Sequence, residues 1–400
     1  MTSRKLSRNR RDGVSADDSN TDISEDQELE IIAKFFWFSG VAFTSFETYF
    51  SLKGLFITCF NVTTSLLSIY FLAASIYFST TKRPHATGYT FISAFATLIG
   101  LCLRFIVLKK RARIQKCSEI ISKLNRDMLL PPESKSSRRF LWLGCGLSLI
   151  IPVSMMTFGM ISGNFHHSSR KYRALYFFSS NIPNRVSPEW EFLIILLQVI
   201  NVLLNRCLPL LTMILCVYIF TRLRDINHNF LSQLQKSMDL NLPSKLFSDY
   251  TKLYGRITNT VEKVEKTFSL ISFFLYGYML SCVFSITSYM ITRSGTLNAS
   301  KVSSQAATFI EIVTCFIFLS VRAAAVNESA VEVKNLIHSL PSKRFDFSPN
   351  LIATLLQLAN NFASEVCVTG WGLFMINRGF ILTTAGVVVT YGVILVQLGS

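Results

Sequence analysis

The sequence predicts an all-α membrane protein of seven transmembrane helices, with the N-terminus in the cytoplasm and the C-terminus outside the cell. Half of its 400 residues are hydrophobic, and only 16% are charged. The apolar residues occur in runs of about 20 or more, the length that a helix needs to cross a bilayer. Lysine and arginine are concentrated in alternate loops, a bias that orients membrane helices.

The candidate spans are seven long apolar runs. They lie at 55–79, 88–108, 140–162, 190–221, 267–292, 306–326 and 371–398. An eighth run, 31–53, contains Lys34, Glu47 and Lys53, so we interpret it as an amphipathic helix at the cytoplasmic interface or within the bundle. In the alternative interpretation it spans the membrane and the N-terminus lies outside.

The distribution of basic residues sets the orientation of these spans. Lys and Arg total 28 in one set of segments and 8 in the other. The first set is 1–53, 109–139, 222–266 and 327–370, and the second is 80–87, 163–189 and 293–305. Cytoplasmic loops carry the excess of positive charge, so the first set is predicted to be cytoplasmic.

The predicted cytoplasmic segments differ in character. Residues 1–30 are polar, with a basic cluster before an acidic stretch, and are predicted to be a disordered tail rather than a cleaved signal peptide. Segments 109–139 and 222–266 are expected to extend the helices beyond the bilayer. In the second segment, apolar residues recur with helical spacing. The 327–370 region is expected to contribute an amphipathic helix at 348–366.

Several classes of site have no signature in the sequence. There is no nucleotide-binding loop and no cysteine pair at metal-ligand spacing, and the five histidines are scattered. These patterns predict no enzyme, metal site or cofactor. The formal net charge of +16 comes from residues that flank hydrophobic runs, which indicates contact with membrane lipids rather than nucleic acid. Asn298 begins an Asn-Ala-Ser sequon in a predicted outer loop and is a candidate glycosylation site.

A polar stripe runs along the last span. Thr383, Thr390 and Gln397 are seven residues apart, so on a helix they point within about 20° of one another at each step. Val387 and Ile394 lie close to the same face. Such a stripe either lines a pore, where Ile394 could close it by dewetting, or binds neighbouring helices. The spacing alone leaves both open.

The predicted outer halves of the spans contain candidate ligand-binding residues. A carboxylate within a membrane helix is costly, so Glu311 is either a ligand contact or the partner of a neighbouring polar group. Aromatic and polar side chains on other spans could complete a cup for a small molecule, or could pack between helices. They are Trp190, Gln198, Tyr278, Ser281, Ser285 and Tyr289.

Four arginines lie within the spans. Arg104 and Arg322 are near predicted cytoplasmic ends, where the side chains can reach the interface. Arg206 lies deeper and is expected to face a carboxylate, a carbonyl or water. Arg378 is expected to meet lipid phosphates, because a ring of positive charge in a pore would repel cations.

The C-terminal string from Thr390-Tyr391 to Gln397-Leu398 resembles the signature of insect gustatory receptors. That signature is Thr-Tyr, five hydrophobic residues, Gln and Phe; here Leu398 replaces Phe, as it does in related odorant receptors. Gly372-Leu373-Phe374 and Asn377 resemble the family's segment before its last span.

The resemblance implies a tastant-gated, non-selective cation channel in the plasma membrane of sensory neurons. Four identical or related subunits would surround one pore, lined by the last helix at 371–400. By position in the motif, Ile394 and Leu398 match the hydrophobic gate and Gln397 matches the polar residue at the constriction. A sugar or bitter compound would bind in an outward-facing pocket within the 54–326 bundle, and cytoplasmic helices in 327–370 would hold the subunits together.

Two other functions remain as alternatives. A metabotropic seven-transmembrane chemoreceptor of inverted topology would require the inverted orientation in the membrane and a surface that binds a G protein. A secondary transporter favours paired repeats and broken helices near the membrane midplane, and the sequence shows no internal repeat.

Overall fold

Nine helices and a short hairpin make up the described parts of the chain in this computed structural model. The structure describes residues 18–43, 52–82, 87–128, 135–162, 188–239, 244–292, 299–343 and 367–399. The helices are α1 (Asp18–Phe38), α2 (Leu52–Lys82), α3 (Thr87–Asp127), α4 (Lys135–Ser162), α5 (Pro188–Val202), α6 (Leu208–Asp239), α7 (Ser244–Thr292), α8 (Ala299–Lys343) and α9 (Arg378–Gly399). A π-helical turn, Leu203–Cys207, joins α5 to α6.

The predicted all-α membrane fold is confirmed. Within the described residues, five helical segments are long and apolar enough to cross a membrane: Gly54–Tyr77, Phe91–Asp127, Phe192–Lys236, Lys252–Ile291 and Val302–Ile337. Two shorter apolar segments, Leu141–Thr157 and Arg378–Ile394, fall in the two remaining predicted spans. Orientation in the membrane remains a prediction from the loop charges.

The longest helices extend well beyond a bilayer. Helix α7 has 49 residues, which corresponds to about 70 Å of helix against a hydrocarbon core of about 30 Å. The helical spacing of Ile257, Val261, Val264 and Phe268 predicts one buried face, and all four are at most 2% exposed. This face packs along α3, and α6 packs along α8.

The N-terminal region differs from the prediction. Helix α1 begins at Asp18, so residues 18–30 are helical rather than a disordered tail. The expected helix over 31–53 is interrupted, because α1 ends at Phe38 and the chain turns at Gly40, whose φ is +77°. In addition, Arg222 Nη2 on α6 and Glu28 Oε2 on α1 form a buried ion pair at 2.8 Å.

The last predicted span begins as a hairpin. Strands β1 (Thr369–Gly370) and β2 (Phe374–Met375) pair antiparallel through a turn in which Trp371 and Gly372 have positive φ. The helix starts only at Arg378, so the predicted boundary at 371 is seven residues too early. Asn377 Oδ1 accepts a hydrogen bond from Phe380 N at 2.9 Å and caps α9. The expected helix at 348–366 and the sequon residue Asn298 lie outside the described residues.

Candidate functional site

The side chains of α9 that pack on its own chain, among those that the structure describes, lie on one face. Phe380, Thr384, Val388 and Tyr391 are buried or half-buried, and they lie within about 80° of one another on the helix. The predicted polar stripe is centred about 100° away from this face. Its members Thr383, Val387, Thr390, Ile394 and Gln397 are all exposed. Leu398 is in the last turn of the helix, and its side chain lies outside the described residues.

Aromatic contacts hold the packed face of α9. The ring of Phe380 stacks on Phe374 of the hairpin, with centroids 4.8 Å apart, and meets Tyr276 of α7 edge-on at 5.2 Å. Nearer the C-terminus, Tyr391 lies 4.5 Å from Phe284 of α7. The Tyr391 side chain therefore packs against α7 rather than facing the stripe.

The stripe hydroxyls have a defined orientation. Thr383 Oγ1 donates to Gly379 O at 3.0 Å, and Thr390 Oγ1 donates to Gly386 O at 2.9 Å. Both hydroxyl protons are therefore directed back into the helix. Each oxygen keeps a lone pair that can face outward, which suits contact with water or a cation.

Arg378 contacts a carboxylate, and the expected contact with lipid phosphates stays a prediction. Its Nε and Nη2 lie 2.6 and 2.8 Å from the two carboxylate oxygens of Glu328 on α8. This two-point pairing neutralises the arginine at the start of α9 and ties the helix to α8.

Pro209 explains the π-helical turn and the hydrogen bonds that other helices donate to the carbonyls of this turn. Proline has no N–H, so residue 209 cannot donate to Asn205 O, four residues before it, or to Leu204 O, five residues before it. Other helices supply the missing donors. Tyr278 Oη donates to Asn205 O at 3.5 Å, and Arg104 Nη1 lies 3.4 Å from Leu204 O.

Arg104 does not extend to the interface as predicted. It is 1% exposed, and it also donates to Ser39 O at 3.2 Å and to Gly40 O. Its charge is thus balanced by backbone carbonyls of the turn after α1 and of the π-helical turn. An added Cβ on Gly40 would lie 2.4 Å from Arg104 Nη2, so only glycine fits there.

A polar cluster forms beside the π-helical turn. Arg206 is exposed and lies close enough to the half-buried Glu311 of α8 for their charges to interact. It also interacts electrostatically with Tyr278 and Cys282 of α7. Of the three kinds of partner expected for Arg206, a carboxylate, a carbonyl or water, Glu311 supplies a carboxylate whose charge interacts with it. We call Arg206, Glu311, Tyr278 and Asn205 the polar cluster.

The other predicted ligand residues are less clearly grouped. Ser281 is buried and donates to Gly277 O of its own helix at 2.8 Å, and Ser285 is 8% exposed. Gln198 and Tyr289 are half-buried, and the side chain of Trp190 lies outside the described residues. Tyr278 is hydrogen-bonded to Asn205, and both Glu311 and Tyr278 interact electrostatically with Arg206. The predicted ligand set omits Asn205 and Arg206. Among the described residues, no group of three or more potential metal-ligating side chains occurs.

Helix α7 lies between the polar cluster and α9. Tyr276 and Phe284 contact α9, whereas Tyr278 contacts the turn after α5. Residues 276 and 278 point about 200° apart on a helix. A displacement of α7 caused by contacts on one face would therefore also move the residues on its other face.

Comparison with known proteins agrees with this architecture. The olfactory receptor OR5 of the insect Machilis hrabei, solved in complex with eugenol, superimposes with a TM-score of 0.72 at 14% identity, covering 95% of this chain and 100% of that chain. A second OR5 structure also gives 0.72 at 14% identity, covering 94% and 99%. A comparison with curated protein sequences finds no match. The model of the seven-transmembrane chemosensory receptor family matches residues 29–400. This is a family of receptors, so the match agrees with the expectation that the chain is not an enzyme. The chain belongs to the seven-transmembrane chemosensory receptor family.

Proposed function

We propose that this chain is a gustatory receptor subunit that forms a tastant-gated, non-selective cation channel. Four identical or related subunits surround a central pore, and α9 of each subunit lines it. The observation that carries the proposal is the exposed stripe of α9, with Thr383, Thr390 and Gln397 on one line. The C-terminal Thr-Tyr…Gln motif supports the gustatory assignment.

The physical argument concerns what the stripe requires. A helix surrounded by lipid has no need of aligned polar groups, whereas a pore needs oxygen atoms that replace part of a cation's hydration. The stripe presents two threonine oxygens and one amide, and its neutral groups fit weak selectivity. Val387 and Ile394 narrow the same line with apolar side chains that can gate by dewetting.

The polar cluster is the proposed ligand site. Arg206 and Glu311 offer a donor fork and an acceptor, while Tyr278 adds an aromatic ring with a hydroxyl. This chemistry suits a small molecule that carries both apolar and hydrogen-bonding groups, such as a sugar or a bitter compound. The similar olfactory receptor was solved in complex with eugenol.

The test is a current recording from the chain expressed alone in a cell without other chemoreceptors. Sugars, bitter compounds and eugenol are applied in turn. The proposal predicts a cation current across the plasma membrane that persists when G-protein signalling is blocked. Binding of a compound without current in any condition, or a current abolished by the G-protein block, contradicts it.

A further inference from the structure

The hairpin before α9 is fastened to α7 by a carboxylate. Glu265 accepts hydrogen bonds from Thr369 N, which lies 3.2 Å from both carboxylate oxygens, and from the Thr369 hydroxyl. The Thr369 oxygen in turn accepts from Gly372 N at 3.1 Å and lies 3.0 Å from Ser269 Oγ. One threonine side chain thus joins the hairpin turn to α7.

The contacts follow a single face of α7. Glu265, Ser269 and Phe273 are four residues apart, so they share one side of the helix. Trp371 N donates to Ser269 O at 3.1 Å, and the Trp371 ring lies 5.5 Å from Phe273. Tyr276 and Phe284 continue the same side onto α9. The hairpin is therefore the first of several contacts between α7 and the α9 segment.

Three features of the hairpin favour the transmission of a displacement from α7 to α9. Trp371 has a φ of +54°, which is unusual for a residue with a side chain. An added Cβ on Gly370 would lie 2.3 Å from the Phe374 ring, so the two strands are in close contact. Two residues after the hairpin, Asn377 caps α9. A displacement of Thr369 is therefore expected to displace the start of the pore helix as well.

We propose that Glu265 and Thr369 form a clasp that couples α7 to the pore helix and sets the open probability of the channel. This inference rests on the proposed channel function. Helix α7 contacts the polar cluster through Tyr278 on its opposite side, so the clasp connects the proposed ligand site to α9. Glu265 and Thr369 are positioning residues, since neither touches the ligand or the ions.

The test uses three variants of the full chain, purified and reconstituted in lipid bilayers. Glu265→Gln keeps the shape and removes the charge, Thr369→Val keeps the shape and removes the hydroxyl, and the third variant combines both. The matched control is Glu262→Gln. Glu262 is exposed one turn earlier on α7, where it pairs with Lys266 of the same helix.

The first readout is the ligand-free open probability of single channels. Both single variants are expected to change it by about tenfold and in the same direction, because a hydrogen bond to a charged group is among the stronger ones. The double variant should differ little from Glu265→Gln, since both changes break one clasp. Single-channel conductance, reversal potential and the behaviour of Glu262→Gln should stay as in the wild type.

The second readout needs no channel activity. Hydrogen exchange of the Thr369–Gly372 amides should be at least tenfold faster in Glu265→Gln than in the wild type or Glu262→Gln. Unchanged exchange overturns the clasp as a structural hold, and faster exchange with unchanged open probability overturns its gating role. A wild-type chain that passes no current refutes the channel function itself, which distinguishes the two failures.

Discussion

Tyr276 and Tyr278, two residues apart on α7, point to opposite sides of that helix and contact different neighbours. Tyr276 Oη lies 3.0 Å from Ser320 Oγ, and its ring meets Phe380 of α9. Tyr278 Oη donates instead to Asn205 O at the π-helical turn. Helix α7 therefore separates the proposed ligand site from the proposed pore, and substitutions on its two sides should have separable effects.

The stripe makes a prediction about permeation. Gln397→Glu places a carboxylate at the proposed constriction, so the permeability to cations relative to chloride should rise. Reversal potentials in asymmetric salt measure this, and the concentration of ligand for half-maximal current should stay within about twofold. The control is Val389→Thr, because Val389 is 65% exposed but off the stripe. Equal reversal potentials in Gln397→Glu and wild type would show that Gln397 does not line the pore.

The polar cluster makes a prediction about ligand response. Glu311→Ala should raise the half-maximal concentration of the most effective of the tested compounds by about tenfold, since the loss of the acceptor and of the negative charge near Arg206 both weaken the site. Glu311→Gln should have a smaller effect because it keeps one acceptor. Glu332→Gln, an exposed change on the same helix, is the control. A dose-response curve for Glu311→Ala that superimposes on the wild type would exclude Glu311 from the site.

The buried ion pair between α1 and α6 makes a prediction about stability. The Glu28 and Arg222 side chains are 2% and 9% exposed, so Glu28→Gln removes the carboxylate charge from a buried ion pair, at a cost of about 3–5 kcal/mol. Glu30→Gln, two residues later, breaks an exposed pair with Lys34 and should cost at most about 1 kcal/mol. Thermal unfolding of both variants in detergent compares them. A similar melting temperature for the two would show that the pair does not anchor α1.

Gly40 makes a second stability prediction. Gly40→Ala adds a Cβ where φ is +77° and Arg104 Nη2 is 2.4 Å away, so it should destabilise the fold by more than about 2 kcal/mol. Gly255→Ala is the control, because an added Cβ at this position on α7 meets no atom within 4 Å. Alanine in that helix interior should be neutral or stabilising by about 0.5–1 kcal/mol. The same melting experiment decides, and an unchanged melting temperature for Gly40→Ala would contradict the account of Arg104.

The sequence predicted the helices well because their signals are local. Apolar runs and the spacing of Ile257, Val261 and Val264 depend only on near neighbours along the chain. The hairpin was missed because Trp371 to Ile376 is almost continuously apolar and reads as the start of a span. What separates it from the helix is a turn with positive φ and a bond to Glu265, 104 residues away.

The site was predicted in part for the same reason. Glu311 and Tyr278 were selected as candidates because a carboxylate and a tyrosine are conspicuous in membrane helices, and their place in a ligand site stays a prediction. The role of Arg104 was missed because its partners are carbonyls of Gly40 and Leu204, 64 and 100 residues away. Pro209 carried a usable signal, since a proline within a span frees carbonyls that need donors from other helices.

The most direct test of the central claim is chemical access to the stripe from the ion pathway. Thr390→Cys channels are opened by ligand and exposed to a positively charged methanethiosulfonate reagent, with the wild type and Val389→Cys as references for the native thiols and the off-stripe surface. If α9 lines the pore, the reagent should irreversibly reduce the current of Thr390→Cys and leave both references unchanged. A Thr390→Cys current that is unaffected, or a Val389→Cys current that is blocked in its place, would contradict the assignment of the pore-lining face.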